Sequence, residues 1–362
     1  MSAPVVGSVL IVGSGLIGAS IGLALRERGV DVWLEDADPA VVAVAIERGA
    51  GRPGPPDRDP DLVIVAVPPA SAAAVIDASL RLYVHATVSD VASTKARLQQ
   101  QVESLSPDSG RFVPGHPLAG REVSGPAAAR ADLFTDRVWA LTPGPSTEPG
   151  RTAQVAALVE SLGAVVVTTT PEEHDRAVAL TSHTPQVVSS LVAAGLGTLG
   201  SAEVRLSGQG LRDMTRLAGS DPDLWTEILT SNAEPVSVAL DGLIERLAVV
   251  RDGLRDGLRG DRGGAAAVHQ ALSAGVVGVS RVPGKHGSEP VPYAVVPVVI
   301  ADRPGELGRL FASAARTEVN LEDVRIDHAQ GRPTGLVELE VRPESAVALA
   351  AGLREDGFEV RD

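Results

Sequence analysis

The stretch 8–36, SVLIVGSGLIGASIGLALRERGVDVWLED, joins two short apolar runs through a glycine cluster and an amphipathic segment. Apolar runs of this length predict buried strands, and residues 16–28 between them are predicted to be a helix. The glycines at 13, 15 and 18 fit the G-x-G-x-x-G pattern of a dinucleotide-binding loop, which has a strand before it and a helix after it. The stretch therefore predicts the first β-α-β unit of a nucleotide-binding domain.

The glycine loop and the acid after the second predicted strand indicate how a cofactor would bind. The loop backbone and the helix N-terminus would hold a pyrophosphate. Asp36 would accept hydrogen bonds from the adenosine ribose, and its charge would repel a 2′-phosphate. The sequence therefore favours NAD over NADP. The candidate cofactor contacts in the loop are Gly13, Gly15, Leu16, Ile17 and Gly18.

Further apolar runs continue this alternation as far as residue 170. Continuous apolar strands that alternate with helices indicate a parallel sheet covered on both faces. Residues 1–170 are therefore predicted to form an α/β domain with a doubly wound, Rossmann-type parallel sheet. Its later strands are predicted at 62–67, 83–90, 111–116, 138–142 and 164–170.

The rest of the chain divides into three predicted parts. Residues 171–260 follow helical patterns, which predicts an all-α domain, and the run 177–196 is apolar on nearly every face. We expect that run to be buried, and burial against a second copy would make a homodimer. Residues 261–291 are rich in Gly, Ala, Ser and Pro and are predicted to be a linker with a short helix. Residues 292–362 follow a β-α-β-β-α-β order, the split-βαβ arrangement.

The composition excludes several function classes. The chain has no cysteine, which excludes disulfides, thiolate catalysis and zinc–thiolate sites, and no metal site is predicted. A net charge of −14 and an aromatic content of 2% argue against nucleic acid as a partner. Only Lys95 and Lys285 are lysines, so an anionic ligand must be held by arginine, histidine, hydroxyl or backbone N–H groups.

The apolar runs are too short for a membrane span, which needs about 18 residues or more. The first residues lack the basic stretch of a secretory signal. We therefore expect no membrane association and a cytoplasmic location.

Two polar residues follow predicted strands at the carboxyl edge of the sheet, where ligands bind in this class of fold. Ser93 follows the strand that ends near residue 90, and it could also be an ordinary helix N-cap. His116 ends the next predicted strand. With an ordinary pKa of about 6.5 it could act as a general base, and it could equally be structural.

A second group of polar residues lies in the helical part. Ser182, His183 and Gln186 surround Pro185, which should kink its helix. Farther along, Asp213 and Arg216 lie three residues apart. In a chain so poor in lysine, an arginine here is a good candidate for binding a carboxylate.

Five motifs occur in order along the chain: GSGLIGAS at 13–20, DVASTK at 90–95, HPLAGRE at 116–122, EEHDRAVALTSHTP at 172–185 and GLRDMTRLAGSDPDLW at 210–225. Taken together, they resemble the prephenate dehydrogenase family, including its arogenate-using members. The resemblance implies an NAD-dependent oxidation and decarboxylation of prephenate to 4-hydroxyphenylpyruvate, a step of tyrosine biosynthesis.

The resemblance also implies roles for individual residues. His116 would hydrogen-bond the ring hydroxyl of the substrate and take its proton, while Ser93 would help to position that hydroxyl. Arg216 would bind a substrate carboxylate. Gln186 stands where the family often has histidine, so both prephenate and arogenate remain candidate substrates. The other residues implied around the substrate are Asp213, Glu122, Ser182 and His183.

Residues 292–362 resemble an ACT domain, a regulatory module that binds amino acids. The resemblance implies tyrosine or phenylalanine as an effector, with contacts at Asp302, Gly305, Leu307 and Asn320.

Two other functions fit parts of the sequence. A β-hydroxyacid dehydrogenase also joins a Rossmann domain to helices, but it uses a lysine from the helical part. This chain has no lysine between residues 96 and 284. A non-catalytic amino-acid sensor would have no use for Ser93, His116 and Arg216.

Overall fold

The computed structural model describes residues 6–120, 124–259, 261–282, 292–328 and 333–361. The chain folds into two compact units, Met1–Ala248 and Val249–Asp362. Within the described residues, no helix is both long and apolar enough to cross a membrane.

A six-stranded sheet lies in the first unit, and all of its neighbouring strands are parallel. Along the chain its strands are β1 (Ser8–Val12), β2 (Asp31–Glu35), β3 (Arg52–Pro53), β4 (Leu62–Val65), β5 (Thr87–Asp90) and β6 (Phe112–Val113). Their spatial order is β3-β2-β1-β4-β5-β6, so β1 and β4 lie side by side at the centre. The predicted Rossmann-type parallel sheet is confirmed.

Helices bury apolar side chains on both faces of this sheet. Ile21 and Leu25 are buried against one face of the sheet, and Ile76 and Leu80 are buried against the other. Full burial of such a side chain contributes about 1.5–3 kcal/mol, which fits the almost entirely apolar sequences of the central strands β1 and β4. The helices are α1 (Leu16–Glu27), α2 (Pro39–Glu47), α3 (Pro69–Leu82), α4 (Ala96–Leu105) and α5 (Arg151–Ser161).

The prediction that 111–116, 138–142 and 164–170 all join the parallel sheet is wrong. A separate three-stranded sheet forms from β7 (Gly115–Pro117), β8 (Val138–Leu141) and β9 (Val165–Thr168). In it β7 runs antiparallel to β8. The predicted strand 111–116 breaks at Pro114, which has no N–H to donate, and the Pro114 carbonyl accepts a hydrogen bond from Thr142 N at 2.9 Å.

The predicted strand 83–90 is half as long as expected. Tyr83 is the C-cap of α3, and its carbonyl accepts a hydrogen bond from Ala86 N at 3.2 Å, which closes a turn. The strand therefore begins only at Thr87.

Helices make up the rest of the first unit, as predicted. Thr170 and Glu173 form a reciprocal capping box at the start of α6. The apolar run 177–196 is not buried within one copy of the chain, because Leu180 and Leu191 are 57% and 67% exposed. The helices are α6 (Pro171–Val178), α7 (Thr184–Gly195), α8 (Ser201–Val204), α9 (Gln209–Thr215), α10 (Pro222–Ser231) and α11 (Ala233–Leu258), whose last turns belong to the second unit.

The short helix predicted within the 261–291 linker is longer than expected and forms α12 (Arg262–Val279). Residues 262–279 contain no proline, and glycines let α12 pack tightly on the end of α11. A Cβ atom on Gly264 would lie 2.3 Å from the Gly253 carbonyl oxygen. Residues 283–291 of the predicted linker lie outside the described residues.

The last part of the second unit has the predicted β-α-β-β-α-β order. Its antiparallel sheet has the spatial order β11-β12-β10-β13, and one face packs on the two helices around Leu310 and Leu349. The elements are β10 (Ala294–Ala301), α13 (Glu306–Arg316), β11 (Asp323–His328), β12 (Thr334–Val341), α14 (Ala346–Glu355) and β13 (Glu359–Val360).

Candidate active site

The glycine loop after β1 is shaped by steric contacts that only glycine permits. Gly13 has φ of 101°, and a Cβ atom there would lie 2.3 Å from the Ala66 carbonyl oxygen. A Cβ atom on Gly18 would lie 1.9 Å from the Gly13 carbonyl oxygen. At Gly15, by contrast, no other heavy atom lies within 4 Å of that position. The loop is therefore tightly closed at two glycines and open to a ligand at the third.

The donors and the acid that a dinucleotide needs meet at this loop. Leu16 and Ile17 begin α1, whose first turn contains no acidic residue and has no side-chain cap. Its N-terminal N–H groups can therefore bind a pyrophosphate. Asp36 is half-buried, and its carboxylate accepts hydrogen bonds from Ser14 N at 2.7 Å and from Asp38 N at 3.0 Å. These residues fit NAD.

His116 is half-buried in β7 and contacts a second histidine. Its Nδ1 lies 2.9 Å from Nε2 of His174, and Nδ1 of His174 lies 2.8 Å from Oδ1 of Asp175. Burial lowers the pKa of His116 well below 6.5, and the positive charges that His174, Lys95 and His183 can carry lower it further. The ring is therefore neutral near pH 7 and can accept a proton.

A buried lysine supports the backbone beside His116. Lys95 is 0% exposed, and its Nζ donates to Oδ2 of Asp90 at 2.5 Å and to the Gly115 carbonyl at 2.6 Å. Asp90 in turn accepts a hydrogen bond from Gly115 N at 3.1 Å. Lys95 was not among the predicted site residues, although it is one of only two lysines in the chain and that scarcity is a usable signal.

Ser93 lies half-buried in the loop between β5 and α4 and does not cap the helix. The N-cap of α4 is Lys95. The N–H groups of Lys95 and Ala96 donate to the Asp175 carboxylate at 2.8 and 2.9 Å. The Asp175 carboxylate of α6 therefore caps the N-terminus of α4, and the alternative prediction that Ser93 is the N-cap is wrong.

A π-helical turn, Ala179–His183, separates α6 from α7. Pro185 has no N–H, and the Thr184 hydroxyl donates to the Ala179 carbonyl at 2.7 Å, so the helix widens here rather than simply bending. The turn holds Ser182 half-buried and His183 buried. Wide turns of this kind are frequent at functional sites.

Buried amide side chains connect the helices around this turn. Asn232 Nδ2 lies 3.1 Å from Nδ1 of His183 and donates to the Asp175 carbonyl at 2.8 Å. Burial lowers the pKa of His183 to about 4. Gln186 Nε2 donates to the Leu217 carbonyl at 2.9 Å. No motif in the sequence had pointed to Asn232.

The remaining predicted substrate residues lie on or near the turn that Gln186 holds. Arg216 begins the 3₁₀ turn Arg216–Gly219 and is exposed. Asp213 is exposed in α9 and accepts a hydrogen bond from Gln209 Nε2 at 2.9 Å. Glu122 lies outside the described residues. Over the part of the chain that the structure describes, no group of side chains could hold a metal ion.

Two family models match consecutive parts of the chain. The prephenate dehydrogenase nucleotide-binding domain matches residues 21–168, and the prephenate dehydrogenase dimerization domain matches residues 170–261. The glycine loop at 13–18 precedes the first match, so the loop geometry alone indicates that it binds a cofactor.

Curated relatives show the same similarity. The probable prephenate dehydrogenase NovF of Streptomyces niveus is 38% identical over 357 residues, which are 96% of this chain and 97% of that protein. The prephenate dehydrogenase of Bacillus subtilis is 30% identical over 67% of this chain and 69% of its own length.

Solved structures of prephenate and arogenate dehydrogenases are also similar to this chain. Prephenate dehydrogenase from Aquifex aeolicus, in complex with hydroxyphenyl propionate and NAD+, is 28% identical with a TM-score of 0.67, over 77% of this chain and 98% of that one. Arogenate dehydrogenase from Synechocystis is 26% identical with a TM-score of 0.64, over 75% and 98%.

Proposed function

The chain belongs to the prephenate dehydrogenase family, and on that premise we propose that it converts prephenate to 4-hydroxyphenylpyruvate by NAD-dependent oxidative decarboxylation. The observation that carries the proposal is the half-buried His116, whose Nδ1 lies 2.9 Å from Nε2 of His174 and whose pKa burial lowers well below 6.5. A neutral histidine is suited to take a proton from a hydroxyl group while a hydride leaves the carbon that bears this hydroxyl.

Each proposed residue supplies one part of the reaction. The glycine loop and Asp36 would hold NAD, which would supply the acceptor for a hydride from the ring carbon that bears the hydroxyl. His116 takes the hydroxyl proton, and Ser93 helps to orient that hydroxyl. Loss of carbon dioxide then restores an aromatic ring, so it needs little further acid catalysis. The residues proposed around the rest of the substrate are Arg216, which binds a carboxylate, with Asp213, Glu122, Ser182, His183 and Gln186.

A steady-state comparison of prephenate and arogenate, each with NAD and NADP, tests the proposal. We expect NADH and 4-hydroxyphenylpyruvate to form together from prephenate and NAD. Turnover of arogenate alone would contradict the choice of substrate, and turnover of neither would contradict the proposed function. Arogenate is the second candidate because Gln186 puts a neutral amide beside the turn that carries Arg216.

The choice of cofactor gives a specific prediction for Asp36. Replacing Asp36 with serine removes the charge that repels a 2′-phosphate, so we expect the kcat/KM ratio of NADP to NAD to rise at least about tenfold. The same change removes the acceptor for Ser14 N, so the KM for NAD should also rise. Glu35→Gln, one residue earlier on β2, is the matched control and should leave the ratio unchanged.

We also propose a homodimer, since exposed apolar side chains run along the helices of the matched dimerization domain. Leu191 of α7 and Val238 and Ile244 of α11 are each more than 60% exposed in the single chain. Covering such residues is favourable, and a patch of this kind marks an interface. Light scattering should give twice the chain mass of 37.2 kDa, and a monomer at micromolar concentration would contradict the proposal.

An aromatic amino acid as effector of residues 292–362 remains a proposal of narrower scope. Asp302, Gly305 and Leu307 follow the end of β10, whereas Asn320 precedes β11. The register of both strands with β12 puts these two points at opposite ends of the sheet. One small molecule can therefore contact all four residues only if two copies of the chain contribute them. Adding tyrosine or phenylalanine to the steady-state assay tests for regulation.

The cytoplasmic location stays a prediction.

A further inference from the structure

A line of three titratable side chains leads from His116 into the protein. Nδ1 of His116 lies 2.9 Å from Nε2 of His174, and Nδ1 of His174 lies 2.8 Å from Oδ1 of Asp175. His174 and Asp175 are each 3% exposed. Nothing in the proposed roles of the substrate residues requires these two, so their arrangement needs its own explanation.

The backbone fixes the inner end of this line. The Asp175 carboxylate accepts hydrogen bonds from Lys95 N and Ala96 N at the start of α4. A helix N-terminus favours a negative charge. A carboxylate can only accept, so Nδ1 of His174 must carry a proton and donate it to Asp175.

The proton positions of both rings follow from that one donor. A neutral His174 with a proton on Nδ1 has a lone pair on Nε2, and it can only accept from His116. Nδ1 of His116 must then carry the proton of that ring. Nε2 of His116 is left unprotonated, which is the state that a general base requires.

We propose that His174 and Asp175 are positioning residues that hold His116 in its reactive tautomer and receive its excess proton. The inference rests on the proposed function. When the substrate O–H bond breaks, its proton bonds to Nε2 of His116. The proton on Nδ1 of His116 can then pass to Nε2 of His174, so that the positive charge comes to lie on His174, beside the Asp175 carboxylate. One proton enters the line and none leaves it during the step.

Other titratable groups lie near His116 and do not share this geometry. Lys95 Nζ donates to Asp90 and to the Gly115 carbonyl, and His183 contacts Asn232. Only Asp175 accepts from His174 among the contacts that the structure describes. The same carboxylate therefore caps α4 and orients the line.

Two substitutions at one position separate proton positioning from packing. His174→Gln offers an amide oxygen that can still accept from Nδ1 of His116, whereas His174→Phe keeps the ring volume and offers no acceptor. We expect His174→Phe to lower kcat at least about 100-fold, with little change in the KM for prephenate. The kcat of His174→Gln should be at least about tenfold higher than that of His174→Phe. The exposed His85→Gln is the matched control and should resemble the unaltered enzyme.

Nitrogen NMR of the histidine rings, without substrate, tests the tautomer independently of turnover. We expect the His116 proton on Nδ1 in the unaltered protein and in His174→Gln, and on Nε2 in a substantial fraction of His174→Phe. A proton on Nε2 in the unaltered protein, or equal losses of kcat in both variants, would overturn the proposal. If prephenate is not turned over but the His116 proton is found on Nδ1, the proposed function is wrong, whereas the proposed tautomer of His116 is supported.

Discussion

Replacing His116 with asparagine is expected to lower kcat for prephenate by about 10²- to 10⁴-fold, the usual contribution of a general base. The amide group can take the place of Nδ1 and keep the contact with His174 Nε2, so β7 should keep its structure. What is lost is the nitrogen that accepts the hydroxyl proton. The KM for NAD should stay within about threefold, because the glycine loop follows β1 and Asp36 follows β2, whereas His116 lies in β7.

The control for His116→Asn is His85→Asn, at an exposed histidine after α3. Circular dichroism and the thermal midpoint of each variant establish that the fold is intact. An His116→Asn enzyme with more than about a tenth of the original kcat would show that another group takes the proton.

The pH profile of the unaltered enzyme checks the same assignment without a substitution. Burial and the neighbouring His174, Lys95 and His183 lower the pKa of His116, so its neutral form persists to a lower pH than that of a free histidine. Activity requires the neutral ring and is lost as pH falls through that pKa. The acidic limb of kcat/KM should therefore lie below pH 6.5, and a limb above that value would contradict the assignment.

The parts of the fold and site that the sequence predicts are those fixed by local contacts. The turn at Gly18 is one, because the steric demand there comes from the Gly13 carbonyl within the same loop; the demand at Gly13 comes from the more distant Ala66 carbonyl. The capping box of Thr170 with Glu173 is another, because both partners lie within one turn. The order of strands and helices at 292–362 follows from alternation along the chain for the same reason.

The parts that the sequence does not predict depend on contacts between distant residues. Asp175 caps a helix that begins about 80 residues earlier, and no local pattern shows that Lys95, not Ser93, is its N-cap. The antiparallel pairing of β7 with β8 is equally non-local. Apolar runs show that strands exist there, but the partner and direction of each strand depend on the rest of the fold.

Lys95→Met is expected to lower the free energy of unfolding by about 3–5 kcal/mol, the cost of leaving a buried charge without its partner. Lys95 is fully buried, and methionine fills a similar volume without the ammonium group. The Asp90 carboxylate, 1% exposed, would keep only the N–H groups of Ala92 and Gly115 as donors. Urea unfolding measures the loss. Arg52→Met is the control, because its ion pair with Asp31 is half exposed and should contribute about 1 kcal/mol or less.

The double variant Asp90→Asn with Lys95→Met shows whether the loss comes from the unpaired charge. Asparagine removes the negative charge while keeping an oxygen that can accept from Ala92 N or Gly115 N. If the unpaired carboxylate causes the instability, the double variant should be more stable than Lys95→Met alone by at least about 1 kcal/mol. Equal or additive losses would instead assign the effect to packing. Because Lys95 Nζ also donates to the Gly115 carbonyl, next to His116, we expect both variants to have a lower kcat than the unaltered enzyme, including the more stable double variant.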